Sequence, residues 1–199
     1  YLTNNGQIVY DGSWNLLRTV AMVPDEVRVL VDYCDERSLP LWLVSEQRSR
    51  FNYHFNDRVP VVMAEIHTEI PERCDLHTML QEPVVKAVMF LTAQEVREGP
   101  LSFMPHARST QWFIHGQDII PAEGGKLPAM RFMAEANGWT PDELMAFGDS
   151  ENDNEMLRYA GTGVAMGNAL EETKAASDYV TDDCDDEGVA HALAHFALI

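Results

Sequence analysis

The sequence predicts an α/β protein whose C-terminal part is built on a parallel, Rossmann-like sheet, and three observations carry that prediction. From Gly124 onward, segments of helical period alternate with short apolar runs, the pattern of successive βα units. Ahead of them, Leu41 to Val44, Val84 to Leu91 and Thr110 to Ile114 are apolar and rich in strand formers, which predicts a second sheet of mixed direction. Finally, the residues Gly148 to Leu157, GDSENDNEML, directly follow the apolar run Leu144 to Phe147 and so place a carboxylate at the end of a buried strand.

Taken in order, Tyr1 to Asp11 holds two short β-prone runs around Asn5-Gly6, a pair that favours the positive φ values of a tight turn and predicts a hairpin. Between Pro24 and Ser38 the apolar residues Val27, Leu30, Val31 and Cys34 recur at helical spacing, and Pro24, Asp25 and Glu26 suit a first turn. Phe51 to Pro71 alternates weakly and is interrupted by Pro60, so it reads as irregular or as a short helix. The pattern changes between His115 and Gly125, where a domain boundary is expected.

Met130, Met133, Ala134 and Ala136 then predict a helix beginning near Pro128 and stopped by Gly138. Thr140-Pro141-Asp142-Glu143 has capping-box spacing with proline at the first helical position, leading to a strand at Met145 to Phe147. Beyond the acidic loop a helix is expected over Glu155 to Ala160, a strand over Gly163 to Met166, and a helix capped by Asn168 with Glu171 three places on. Tyr179-Val180 gives a last strand and Gly188 to Leu198 a last helix.

Lysine and arginine number 14 against 32 acidic residues in 199, a formal charge of −18 that repels nucleic-acid backbones and anionic lipid surfaces. No nucleic-acid or membrane partner is therefore expected, and no apolar run approaches the ~20 residues of a membrane span. Cys34, Cys74 and Cys184 are odd in number and far apart, without a C-x-x-C pair, which argues against a disulfide framework or a zinc site and for a cytoplasmic location. A small anionic substrate stays compatible with this charge if a cation and a lysine reverse the field locally.

The chemistry concentrates in GDSENDNEML. Asp149 is expected just past a strand end, where open parallel sheets bind ligands, and Gly148 is expected to let the backbone turn sharply there. Asn152 and Asp153 fall at the following helix start, where free N–H groups favour anions. Oxygen donors of this kind suit Mg²⁺, which keeps its other positions for water and phosphate. Lys126, after Gly124-Gly125, offers an ammonium to a phosphate. A lone G-D-S would be no more than a helix cap; glycine, strand-end aspartate, the N-D pair and the helical continuation together say more.

Other candidates are weaker. Of seven histidines only His191 and His195 share a helix face, without the glutamate of H-E-x-x-H, so a half-exposed helix is the better reading than zinc. The acidic run Asp182 to Glu187 lacks the spaced ligands of a calcium loop and reads as a solvated turn. Met130, Met133, Met145 and Met156 read as core packing, and Trp42 and Trp112 as core or surface of the middle region.

Lys126 in GGKLPAM, then GDSENDNEML, YAGTGVAMGNA, ASDYVT and DDEGVAHAL, resemble the third and fourth motifs of the haloacid dehalogenase superfamily, most closely its Cof-like phosphatases. The opening T-N-N-G-Q-I-V-Y resembles the strand and turn before that family's cap. The resemblance implies a Rossmann-like core from residues 1–21 and 116–199, an inserted α/β cap over 22–115, and hydrolysis of small phosphate monoesters, such as sugar phosphates, with Mg²⁺ through an aspartyl-phosphate. By the same resemblance Asp149 is a magnesium ligand, Asp153 either a weaker metal partner or a support behind the ligands, Asn152 a contact to substrate phosphate, and Lys126 the third-motif lysine.

The family also places its nucleophile and general acid in an N-terminal D-x-D, and a Ser or Thr in its second motif, ahead of the region that Tyr1 resembles. No D-x-D opens this chain. The expectation is thus a copy whose nucleophile lies upstream of Tyr1, the 199 residues alone being inactive. A non-catalytic protein of the same fold and a related phosphomutase are the alternatives, and the chain is expected to be a monomer or homodimer.

Overall fold

A computed structural model describes residues 1–199, which divide into two compact units, Tyr1–Gly125 and Lys126–Ile199. In the first unit, β1 (Leu2–Thr3), β2 (Ile8–Tyr10) and β3 (Leu16–Thr19) form an antiparallel three-stranded sheet. The predicted hairpin is its first half: Leu2 pairs with Val9 and Thr3 with Ile8, across a turn in which Asn5 and Gly6 take φ of 58° and 83°.

Next, α1 (Pro24–Glu36) begins on Pro24 and buries Val27, Leu30, Val31 and Cys34. The remaining elements are β4 (Leu41–Ser45), β5 (Ser49–Phe51), α2 (Arg58–Glu65), β6 (Val84–Met89), α3 (Ala93–Glu98), β7 (Ala107–Phe113) and β8 (Gly116–Pro121). The strands form one sheet in the order β5-β4-β6-β8-β7. Every neighbouring pair in it is antiparallel, so the expected mixed sheet is corrected. Connections as short as Glu46 to Arg48 and Ile114-His115 can join only antiparallel strands.

The buried face of α1 shares a core with Leu41, Leu43, Ala87, Met89 and Ile119. Leu30 is 0% exposed there, and cutting it to alanine would cost ~2–5 kcal/mol in lost transfer and residual cavity. Val88 alternates with Ala87 and Met89 and so points to the other side of β6. It meets Phe51, Phe90 and the Val59, Val62 and Met63 face of α2, with Trp42 and Trp112 packed against them. The short helix predicted within Phe51 to Pro71 is α2, with Pro60 in its first turn, where no intrahelical N–H bond is lost.

One polar knot lies in this unit. Asp118 of β8, 4% exposed, accepts from Asn5 Nδ2 at 2.7 Å, Trp112 Nε1 at 3.1 Å and Lys86 Nζ at 3.2 Å.

The second unit contains α4 (Lys126–Asn137), β9 (Met145–Gly148), α5 (Asn154–Tyr159), β10 (Thr162–Ala165), α6 (Glu171–Lys174), β11 (Tyr179–Val180) and α7 (Gly188–His195). Its strands run parallel in the order β11-β10-β9, as the βα alternation predicts. Gly138, at φ 70°, ends α4 in the left-handed region. Between α4 and β9, the Glu143 carboxylate accepts from both the N–H and the hydroxyl of Thr140, at 2.8 and 3.0 Å, as the capping-box spacing predicts.

Two local expectations fail. Asn168 does not cap α6: that helix starts after Leu170 with no side-chain cap, and Asn168 Oδ1 instead accepts from Cys184 N–H at 3.2 Å. The final helix stops at His195, because Ala197 turns left-handed at φ 56°. Met130, Met133, Met145 and Met156 are half-buried; Met130 and Met156 pack against Ala146, Leu157 and Ala160. No helix is long and apolar enough to cross a membrane, and all three cysteines are free.

Candidate active site

The parallel strand β9 ends at Gly148, and Asp149 follows with its side chain exposed beyond the strand's C-terminal end. Two bonds position this loop against the rest of the unit. Gly148 C=O accepts from Met166 N–H at 3.0 Å, and Asp149 C=O from Leu170 N–H at 3.1 Å. The loop then makes one 3₁₀ turn, Glu151–Asp153, before α5.

Asp153 organises the loop from inside. Its side chain is 3% exposed, and its Oδ2 accepts from the N–H groups of Asp149 and Ser150 at 3.1 and 3.3 Å. Its Oδ1 lies 2.6 Å from Lys126 Nζ. Both carboxylate oxygens are thus engaged: one shapes the backbone on which Asp149 sits, the other aims the lysine. Lys126 is itself the first residue of α4, two positions earlier than the Pro128 start expected, and its side chain keeps 32% exposure.

Gly148 has a different reason from the sharp turn expected, since its φ is not positive. A Cβ there would stand 2.4 Å from Asp153 Cβ and 2.7 Å from its Cγ. Glycine is required by the close approach of the buried carboxylate, a contact that sequence alone does not show.

Asn152 is half-buried, and its side-chain oxygen is shielded from solvent without a hydrogen-bond partner. Asp149 Oδ1 accepts from the Ser150 hydroxyl at 3.2 Å, a contact not foreseen from sequence. Lys126, Asp149, Asn152 and Asp153, the four predicted site residues, all belong to this one unit, with Lys126 and Asp153 in direct contact. The exposed Asp149 carboxylate and the neighbouring Ser150 hydroxyl are hard oxygen donors, which fit Mg²⁺.

The remaining candidates separate from this site. His191 Nδ1 faces Asp182 Oδ2 at 2.7 Å, whereas the His195 ring stacks on Tyr179 at 4.4 Å, so the two imidazoles serve different partners. The acidic run forms a 3₁₀ turn over Cys184–Asp186 in which Asp183 caps the chain by accepting from Asp185 N–H at 3.1 Å. Asp183-Cys184-Asp185 does have D-x-D spacing, but it forms part of this capped turn.

Comparison with known proteins bears on the family and the fold. A family profile described as haloacid dehalogenase-like hydrolase matches residues 1–193. The chain is 27% identical over 199 residues to the Bacillus subtilis protein YkrA, covering 100% of this chain and 76% of the relative. It is 26% identical over 204 residues to YcsE, the 5-amino-6-(5-phospho-D-ribitylamino)uracil phosphatase of the same organism, covering 99% and 72%. A solved structure of a HAD subclass IIB sugar phosphatase superposes with a TM-score of 0.89 at 28% identity, covering 100% of this chain and 76% of that one.

Proposed function

The chain belongs to the haloacid dehalogenase-like hydrolase family, and from that premise we propose that it serves Mg²⁺-dependent hydrolysis of small phosphate monoesters, sugar phosphates being the favoured class. The observation that carries this reading is the Lys126–Asp153 pair beside an exposed strand-end Asp149. In this reading residues 22–115 are the cap and the remainder the core.

Asp149 would hold the metal, with Asn152 contacting the substrate phosphate and Asp153 supporting both Asp149 and Lys126 from behind. When bound, Mg²⁺ supplies positive charge against the phosphoryl oxygens. The Lys126 ammonium adds a second, preoriented positive charge, and Asp153 prevents it from swinging into solvent. In this reading the attacking group is the aspartate of the family's D-x-D motif, a role given to none of Lys126, Asp149, Asn152 and Asp153. Its oxygen bonds to phosphorus as the ester P–O bond breaks and the leaving oxygen takes a proton. Water then attacks the aspartyl-phosphate, releasing inorganic phosphate and restoring the carboxylate.

The test is phosphate release from a panel of sugar phosphates, with and without Mg²⁺, by the complete gene product and by the 199 residues alone. We expect metal-dependent turnover from the former and none from the latter. Undiminished turnover by the 199 residues would overturn the nucleophile assignment, and full metal-dependent activity in Asp149→Ala would overturn the site.

A further inference from the structure

In the first unit, one histidine stands between carboxylates at both of its ring nitrogens. His77 sits in the 3₁₀ turn Leu76–Met79, whose Leu76 and Met79 are buried in the core with α1. Its Nε2 lies 2.9 Å from Asp32 Oδ1 on α1, and its Nδ1 lies 2.9 Å from Asp75 Oδ1 at the start of its own turn. A second α1 carboxylate, Asp35 Oδ2, stands 4.0 Å from the same Nδ1. The loop after β5 contributes His54, whose Nε2 is 3.0 Å from Asp35 Oδ1. Cys74, next to Asp75, faces the Thr78 hydroxyl at 3.7 Å. Beside these groups lies a cavity of about 250 Å³ lined by Asp35, Asn52, Tyr53, His54, Cys74, Asp75 and Leu76.

An ionised carboxylate only accepts hydrogen bonds, and a neutral imidazole donates only one. A ring with a carboxylate at each nitrogen makes both bonds only when it is doubly protonated. We propose that His77 is a proton-operated clasp: as imidazolium it ties the Leu76–Met79 turn to α1, and on losing its proton it releases one carboxylate and opens the rim of the adjoining cavity.

The direction of the titration agrees. The hydrogen bonds to Asp32 and then Asp75 hold the His77 ring above the ordinary imidazole value of 6.5. The backbone and side-chain bonds from His77 hold Asp75 below the usual carboxylate range. For a raised group, stabilisation is complete below the unfolded value of 6.5 and is lost as pH rises through the higher folded midpoint. The clasp is therefore closed below that midpoint and opens as pH rises through it.

Two measurements on the folded protein test this, independently of any phosphatase activity. The NMR titration of the His77 ring should show a midpoint above about 6.5, moving back toward it in Asp32→Asn. Amide hydrogen exchange at Leu80 and Glu82, corrected for intrinsic rate, should lose protection severalfold as pH crosses that midpoint. The step should vanish in His77→Gln. A midpoint at or below the ordinary value, or a protection step that persists in His77→Gln, would overturn the proposal.

Discussion

Lys126 Nζ stands 2.6 Å from Asp153 Oδ1, so the first residue of α4 and the last residue of the turn after β9 are joined by a charge-assisted bond. The pair is asymmetric: the carboxylate is 3% exposed and the lysine 32%. Removing either end therefore has unequal consequences.

Lys126→Ala leaves a buried carboxylate with only backbone donors. Breaking a fully buried pair costs ~3–5 kcal/mol, and with the lysine head reaching solvent about 1–3 kcal/mol is expected. Asp153→Ala should cost more, because two loop N–H groups lose their acceptor as well. A urea-denaturation double-mutant cycle checks the coupling; strict additivity would contradict it.

Gly148→Ala tests the close approach. The added methyl has to displace the Asp153 carboxylate, so about 1–3 kcal/mol of stability should be lost through overpacking. Phosphate turnover should fall with it. Unchanged thermal unfolding and turnover would show that the loop has slack.

Asp149→Ala should separate function from stability. Its side chain is exposed and accepts a hydrogen bond from the neighbouring Ser150 hydroxyl, so stability should stay within ~0.5 kcal/mol of the parent. Mg²⁺ affinity, measured by calorimetry, should drop by at least about tenfold, the range seen when a partner of a metal site is removed. A large stability loss would instead make Asp149 a structural cap.

Acid unfolding should depend on Glu95. Arg58 makes two bonds to its carboxylate, at 2.6 and 3.1 Å, and together with the Thr92 cap holds its pKa down to about 2. A lowered carboxylate stabilises above its unfolded value of 4.5, and the contribution disappears as pH falls from there toward about 2. In Glu95→Gln the stability-versus-pH curve should be flatter in that window, with little change in its slope above pH ~5. A slope equal to the parent's between those limits would show that solvent screening removes the effect.

The C-terminal unit was the most legible part of the sequence, because its signals are local. Lys126, Gly148, Asp149, Asn152 and Asp153 lie near strand and helix ends whose apolar period and punctuation mark them. Long-range relations were not legible. β8 escaped because Gln117 and Asp118 are polar yet buried, 0% and 4% exposed, against the rule that polar residues mark loops. β3 went unrecognised because Leu16 and Leu17 are adjacent and both exposed, so no alternation announces a strand. Asn168 had the right spacing for a cap, but Cys184, sixteen residues on, took its oxygen.

The knot at Asp118 bears on the order of assembly. Asn5 and Asp118 are 113 positions apart, and the bond between them needs β8 in place beside β6 and β7. The Asn4–Gly6 turn emerges in synthesis long before its anchor on β8, and closing so long a loop slows the step. Pulse-labelled exchange should find the amide of Gln7 protected no sooner than that of Ile119; earlier protection would mean that the opening hairpin nucleates by itself. Otherwise the N-terminal hairpin waits, unfastened, for a strand made more than a hundred residues later.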